Sequence, residues 1–80
     1  MKTPEPRKIR TLDLRPMIAR GEEPRARVFA AIAALAPGES LALVTPFLPS
    51  PLIERFQADG FSARPERRAD GSWQTIFSRD

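Results

Sequence analysis

The sequence predicts an α+β domain, a two-layer α/β sandwich of order β-α-β-α-β-β: a four-stranded mixed sheet with two helices on one face. Three observations point there. Short alternating or continuous apolar runs recur at residues 9–14, 41–44, 61–65 and 73–77, as strands require. Apolar residues at helical spacing separate the first three runs. Asp70-Gly71, a strong hairpin signal, separates the last two.

Ile9-Arg10-Thr11-Leu12-Asp13-Leu14 alternates apolar and polar, which suits a first strand. Pro16 stops it, and Met17 to Gly21 reads as a connecting loop. Pro24 suits the first helical position, where its missing N–H costs nothing. Glu22 and Glu23 complement the positive end of the helix dipole. Val28, Ile32 and Leu35 recur at helical spacing, widened by Phe29 and Ala31. The first helix is therefore expected from about Pro24 to Leu35, ended by Pro37-Gly38.

Leu41-Ala42-Leu43-Val44 reads as a buried strand. A proline-rich turn follows, Thr45-Pro46-Phe47-Leu48-Pro49-Ser50-Pro51. Ser50 is the expected N-cap of the second helix and Pro51 its first residue. Leu52, Ile53 and Phe56 give that helix an apolar side, and Gly60 is its natural stop. Phe61, Ala63 and Pro65 alternate with polar neighbours, as do Trp73, Thr75 and Phe77 beyond the turn. Each of the first two strands is followed by a helix. Those strands should run parallel, joined by a right-handed crossover.

Eighty residues allow one domain with one small core. Residues 9–80 are expected to form it, with residues 1–8 a flexible tail. Such small cores often gain stability by pairing, so a homodimer is compatible with the chain. Neither a secretory signal nor a long apolar run is present, which points to a cytoplasmic protein that meets no membrane. Cysteine and histidine are both absent. That removes the thiolate nucleophile, the disulfide couple, the neutral-pH proton shuttle and the two strongest zinc ligands. No cofactor, metal site or catalytic residue is expected, and the chain reads as a non-enzyme. The net charge of +3 comes mostly from arginines that do not form a long run. It suits either spread solvated faces or a polyanion-binding face.

Three segments taken in order resemble a known family: Leu12-Asp13-Leu14-Arg15, Gly21-Glu22-Glu23-Pro24, and Leu35-Ala36-Pro37-Gly38-Glu39-Ser40-Leu41. The series is similar to the small sulfur-carrier-like domains of the TusA/SirA type. Those carry a Leu-Asp-x-Arg strand, a Cys-Pro-x-Pro turn opening the first helix, and a Pro-Gly-Glu turn after it. The resemblance covers about residues 9–78. It is closest to a bacterial branch, domain of unknown function twenty-two forty-nine, which resembles this chain in the Pro46-Phe47-x-Pro49-x-Pro51-Leu52 loop and in Trp73. Of Cys-Pro-x-Pro only the last proline remains, as Pro24, so persulfide transfer does not carry over. Relatives often place an acidic or histidine-bearing series where this chain has Leu48, so a metal or haem role does not carry over either.

The candidate working edge joins the two strand-to-helix loops. In an open sheet, ligands favour the crevice beyond the carboxyl ends of parallel strands. Arg15, Arg20, Glu22, Glu23, Pro24 and Arg25 are expected there from the first loop, with Phe47, Pro49 and Ser50 from the second. The arginines and two helix starts suit a small anion. Phe47 between prolines either presents an apolar surface to a protein partner or folds back to plug the core. Glu22 and Glu23 read as helix-start residues rather than an acid–base pair. Asp13 reads as a structural ion-pair partner of Arg15, and Trp73 as core or sheet-face packing. The leading expectation is a non-catalytic binding module for a protein partner or small anion. The alternative is an RNA-binding domain of similar architecture, although stacking aromatics beyond Trp73 and Phe77 are not evident on the sheet.

Overall fold

In a computed structural model, residues 8–79 are described. The chain runs β1 (Ile9–Asp13), α1 (Arg15–Ala19), α2 (Arg25–Ala33), β2 (Ser40–Thr45), α3 (Ser50–Ala58), β3 (Phe61–Arg67), β4 (Trp73–Arg79). The strands form one sheet of order β1-β2-β4-β3. β1 and β2 are parallel, while β4 is antiparallel to both β2 and β3. This is the expected mixed four-stranded sheet. The expected tail, residues 1–8, lies outside the described residues except for Lys8, whose carbonyl accepts the Ser40 N–H at 2.9 Å.

Side chains alternate across a sheet, and only one alternation joins the core. Leu12, Leu41, Leu43, Phe61, Ala63 and Phe77 pack with Val28, Ile32, Leu52 and Phe56 of the helices. All these strand residues share one face, so the helices cover that face and the sandwich has two layers. Phe56 sits at its centre. Its ring lies 5.2 Å from Phe29, 5.3 Å from Phe77 and 5.9 Å from Phe61, centroid to centroid. The tilted and edge-on geometries are those that aromatic quadrupoles favour.

Several boundaries differ from the sequence reading. The segment expected as a loop, Met17 to Gly21, begins with the short helix α1. Pro16 is tolerated there because the first turn of a helix needs no internal N–H donor, and its carbonyl accepts the Arg20 N–H at 3.1 Å. Helix α2 starts one residue later than expected, with Pro24 in the cap position, and ends at Ala33. Ser50 is not the N-cap of α3. Pro49 takes that position, and no side chain caps the end. The β3–β4 hairpin forms as expected, but residues 68–72 lie between its paired strands, wider than a two-residue turn. Asp70 organises that loop by accepting the Ser72 N–H at 2.9 Å and the Ser72 hydroxyl at 2.6 Å.

Backbone geometry and hydrogen bonds shape the Pro37-Gly38-Glu39 turn. Gly38 adopts φ +85°, a region that a Cβ disfavours. The Glu39 carboxylate accepts the Ala36 N–H at 2.7 Å and the Arg10 Nε–H at 3.2 Å. It thereby ties the turn to β1.

Candidate functional site

The carboxyl ends of β1 and β2 emerge at one end of the sheet. Because β4 is antiparallel to β2 and Thr45 pairs with Trp73, the β3–β4 loop emerges there too. The carboxylate of Asp13, the last residue of β1, accepts the Arg15 backbone N–H at 3.0 Å. The Arg15 guanidinium then grips it through Nε at 3.0 Å and Nη2 at 2.8 Å. Such two-pronged pairing suits the planar fork of arginine. Nη1 of the same guanidinium reaches across to Asp70 Oδ2 at 3.0 Å. Arg15 thus bridges the first strand-to-helix loop to the distant hairpin.

The titration behaviour of this cluster follows its hydrogen bonds. Asp70 is lowered from 3.8 to about 2, mainly by the Ser72 hydroxyl and N–H, with the charges of Arg68 and Arg15 adding. Asp13 is lowered by its hydrogen bonds from Arg15. Both stay ionised at neutral pH and serve as acceptors, not as proton donors.

Farther along the first loop, Arg20 Nε donates to Glu22 Oε2 at 2.8 Å. This pairing holds the Glu22 carboxyl below its ordinary range. Glu23 alone meets the start of α2, where its Oε1 accepts the Arg25 N–H at 3.2 Å. Between the starts of α2 and α3 lies a shallow groove of about 290 Å³, with Pro24, Phe29, Pro51 and Leu52 as apolar lining. Arg25 and Arg55 stand at its sides. Arg55 stacks over the Phe29 ring at 5.4 Å and donates to Asp59 at 3.2 Å. Arg25 has no carboxylate partner among the described residues.

The second loop presents two apolar side chains to solvent. Phe47 is 52% exposed and Leu48 40%. The plug reading of Phe47 therefore fails: its ring stays outside the core. The loop is braced from below. The Thr45 hydroxyl is buried and donates to the Phe47 carbonyl at 2.6 Å, and Pro49 is buried. Ser50 is exposed, and Trp73 is half-buried.

The nine expected residues thus divide. Arg15 joins Asp13 and Asp70; Arg20 joins Glu22; Glu23, Pro24 and Arg25 line the groove with α3. Phe47 projects and Ser50 is exposed, while Pro49 lies inside the fold and serves as support rather than contact surface. Sequence reasoning missed Leu48, Arg55, Asp70 and Ser72. Asp70 could have been found: an antiparallel strand paired with β2 must begin where β2 ends, so its preceding loop shares that end. Among the described residues, no three histidine, cysteine, aspartate or glutamate side chains gather as a metal site needs. No described helix is long and apolar enough to cross a membrane.

A family model described as Uncharacterized conserved protein (DUF2249) matches residues 11–79. The match takes in β1 from Thr11 onward and every later element. No curated protein and no solved structure matches the chain significantly.

Proposed function

We propose that this chain, which belongs to that family of uncharacterized conserved proteins, is a non-catalytic module that docks a protein partner at the end carrying its two strand-to-helix loops. The observation that carries the reading is the exposed Phe47–Leu48 pair on its braced loop. Large apolar side chains held rigidly in water are what a partner surface can bury without ordering them first. The pairing of Arg15 and Arg20 with carboxylates argues for a protein over a small anion, because both guanidinium forks are already engaged. Kinship to the bacterial TusA/SirA-like domains is supported by the motif series around Asp13, Pro24 and Gly38. A cytoplasmic site of action is part of the same reading.

The test places a photo-reactive phenylalanine analogue at position 47, and at exposed Glu54 as a control, in cells that encode the chain. One protein should crosslink at 47 and not at 54. Its purified form should bind the wild type and lose Phe47→Asp. Crosslinking equal at both positions, or binding that survives Phe47→Asp, would sink the reading. The RNA alternative rests on the +3 charge. Phe77 is fully buried, which removes one of the two aromatics it relied on. Titrating single-stranded RNA against salt separates the two: tight, steeply salt-dependent binding favours RNA.

A further inference from the structure

The two edges of the sheet are not alike, and the difference points to a second interaction surface. Lys8 accepts from Ser40, and the Leu14 N–H donates to Val44. In a parallel pair the residues bonded to the neighbour alternate. Arg10 and Leu12 therefore turn their backbone groups towards β2, and Ile9, Thr11 and Asp13 turn theirs outward. Those outward N–H and C=O groups have no backbone partner among the described residues. Ile9, 58% exposed, is the most exposed large apolar residue among those described.

The opposite edge is closed to pairing. The Arg68 N–H donates to the Ser72 carbonyl at 2.8 Å, the bond that ends the hairpin. Counting back, Pro65 falls in a pair that is not hydrogen-bonded to β4, so its ring faces outward where a docking strand would need an N–H. Charged Arg64, Glu66 and Arg67 flank it, all exposed. Proline and charge are the ordinary protections of an edge strand. β1 has no proline.

Beside the open edge runs a groove of about 310 Å³ between β1 and α2. Its apolar lining includes Leu12, Ala30 and Ala34, and its only charged lining residues are Arg10 and Arg27. Arg10 already meets Glu39, whereas Arg27 has no carboxylate partner among the described residues. The small alanines leave room for alternate side chains of a fifth strand. Arg27, without a carboxylate partner among the described residues, favours acidic ones.

We propose that the outer edge of β1, with the groove towards α2, receives an extended acidic segment of a partner protein as a fifth strand. This surface is separate from the Phe47 loop, and neither reading depends on the other. The test pans a displayed library of random short peptides on the full chain. Enriched peptides should carry a surplus of aspartate and glutamate. A synthetic enriched peptide should shift the amide signals of Ile9, Thr11 and Asp13. Its affinity should fall at least about tenfold for Thr11→Pro, which deletes only an outward N–H, and for Arg27→Glu. Should Thr11→Pro fail to fold, Arg27→Glu and the amide shifts decide alone. No enrichment, enrichment of neutral or basic peptides, shifts confined to other residues, or indifference to Arg27→Glu would each overturn the proposal. So would a wild type that dimerises through β1, becomes monomeric in Thr11→Pro and selects no peptide, because the occupant is then a second copy.

Discussion

Asp70 accepts from the Ser72 N–H, the Ser72 hydroxyl and the Arg15 guanidinium, and these bonds favour its charged form. A carboxyl lowered by folding adds stability above its unfolded value and loses it as pH falls through the folded value. With 3.8 lowered to about 2, the loss belongs between about pH 4 and pH 2. Asp70→Asn should flatten the fall in unfolding midpoint across that window, measured by thermal denaturation at stepped pH. An unchanged slope would show that Asp70 does not couple to folding. Thr75 offers a different case. It is fully buried, and its hydroxyl has no partner among the described residues. A buried donor left unmade is costly, so Thr75→Val should raise stability by about 1 kcal/mol in denaturant titration. The phenylalanines separate by burial. Phe56→Ala should cost about 3–5 kcal/mol, whereas Phe47→Asp should change stability by no more than about 0.5 kcal/mol. A large drop for Phe47→Asp would mean the loop contributes to the core after all.

At the scale of elements, periodicity carried the long signals. Val28 and Ile32 fall on the packed side of α2, Phe56 on that of α3, and Leu41 to Val44 form an interior strand, all as the apolar spacing implies. Helix ends were less legible. The chain enters α3 one residue early: Ser50 is already its first helical residue, and Pro49 takes the cap position. Helix α1 was hidden because five residues beginning Arg15-Pro16 carry little periodicity, and it is the Leu14 and Pro16 carbonyls that close its turns. Glycine was a better guide. Gly38 turns the chain between α2 and β2 with a positive φ, so Gly38→Ala should destabilise by about 1–2 kcal/mol, read by chemical denaturation. An unaffected variant would mean the turn relaxes to another conformation.

Across the whole molecule, the shared end of the two loops was legible because topology alone dictates it. The Asp13–Arg15 pair was legible from proximity in sequence. The third member, Asp70, lies 55 positions from Arg15, and no local signal joins them; only the pairing of β4 with β2 does. The same pairing has a consequence for how the chain comes into being. β4, the last of the described strands, occupies an inner seat between β2 and β3. During synthesis, β2 therefore emerges with all six residues destined for burial and one flank unmet. Neither β1 nor α3 can close that flank. Until Trp73 to Arg79 clear the ribosome, the nascent domain exposes a sticky apolar ribbon, the kind of surface that chaperones hold. The vulnerable interval in the folding of this domain is thus set by the arrival of β4.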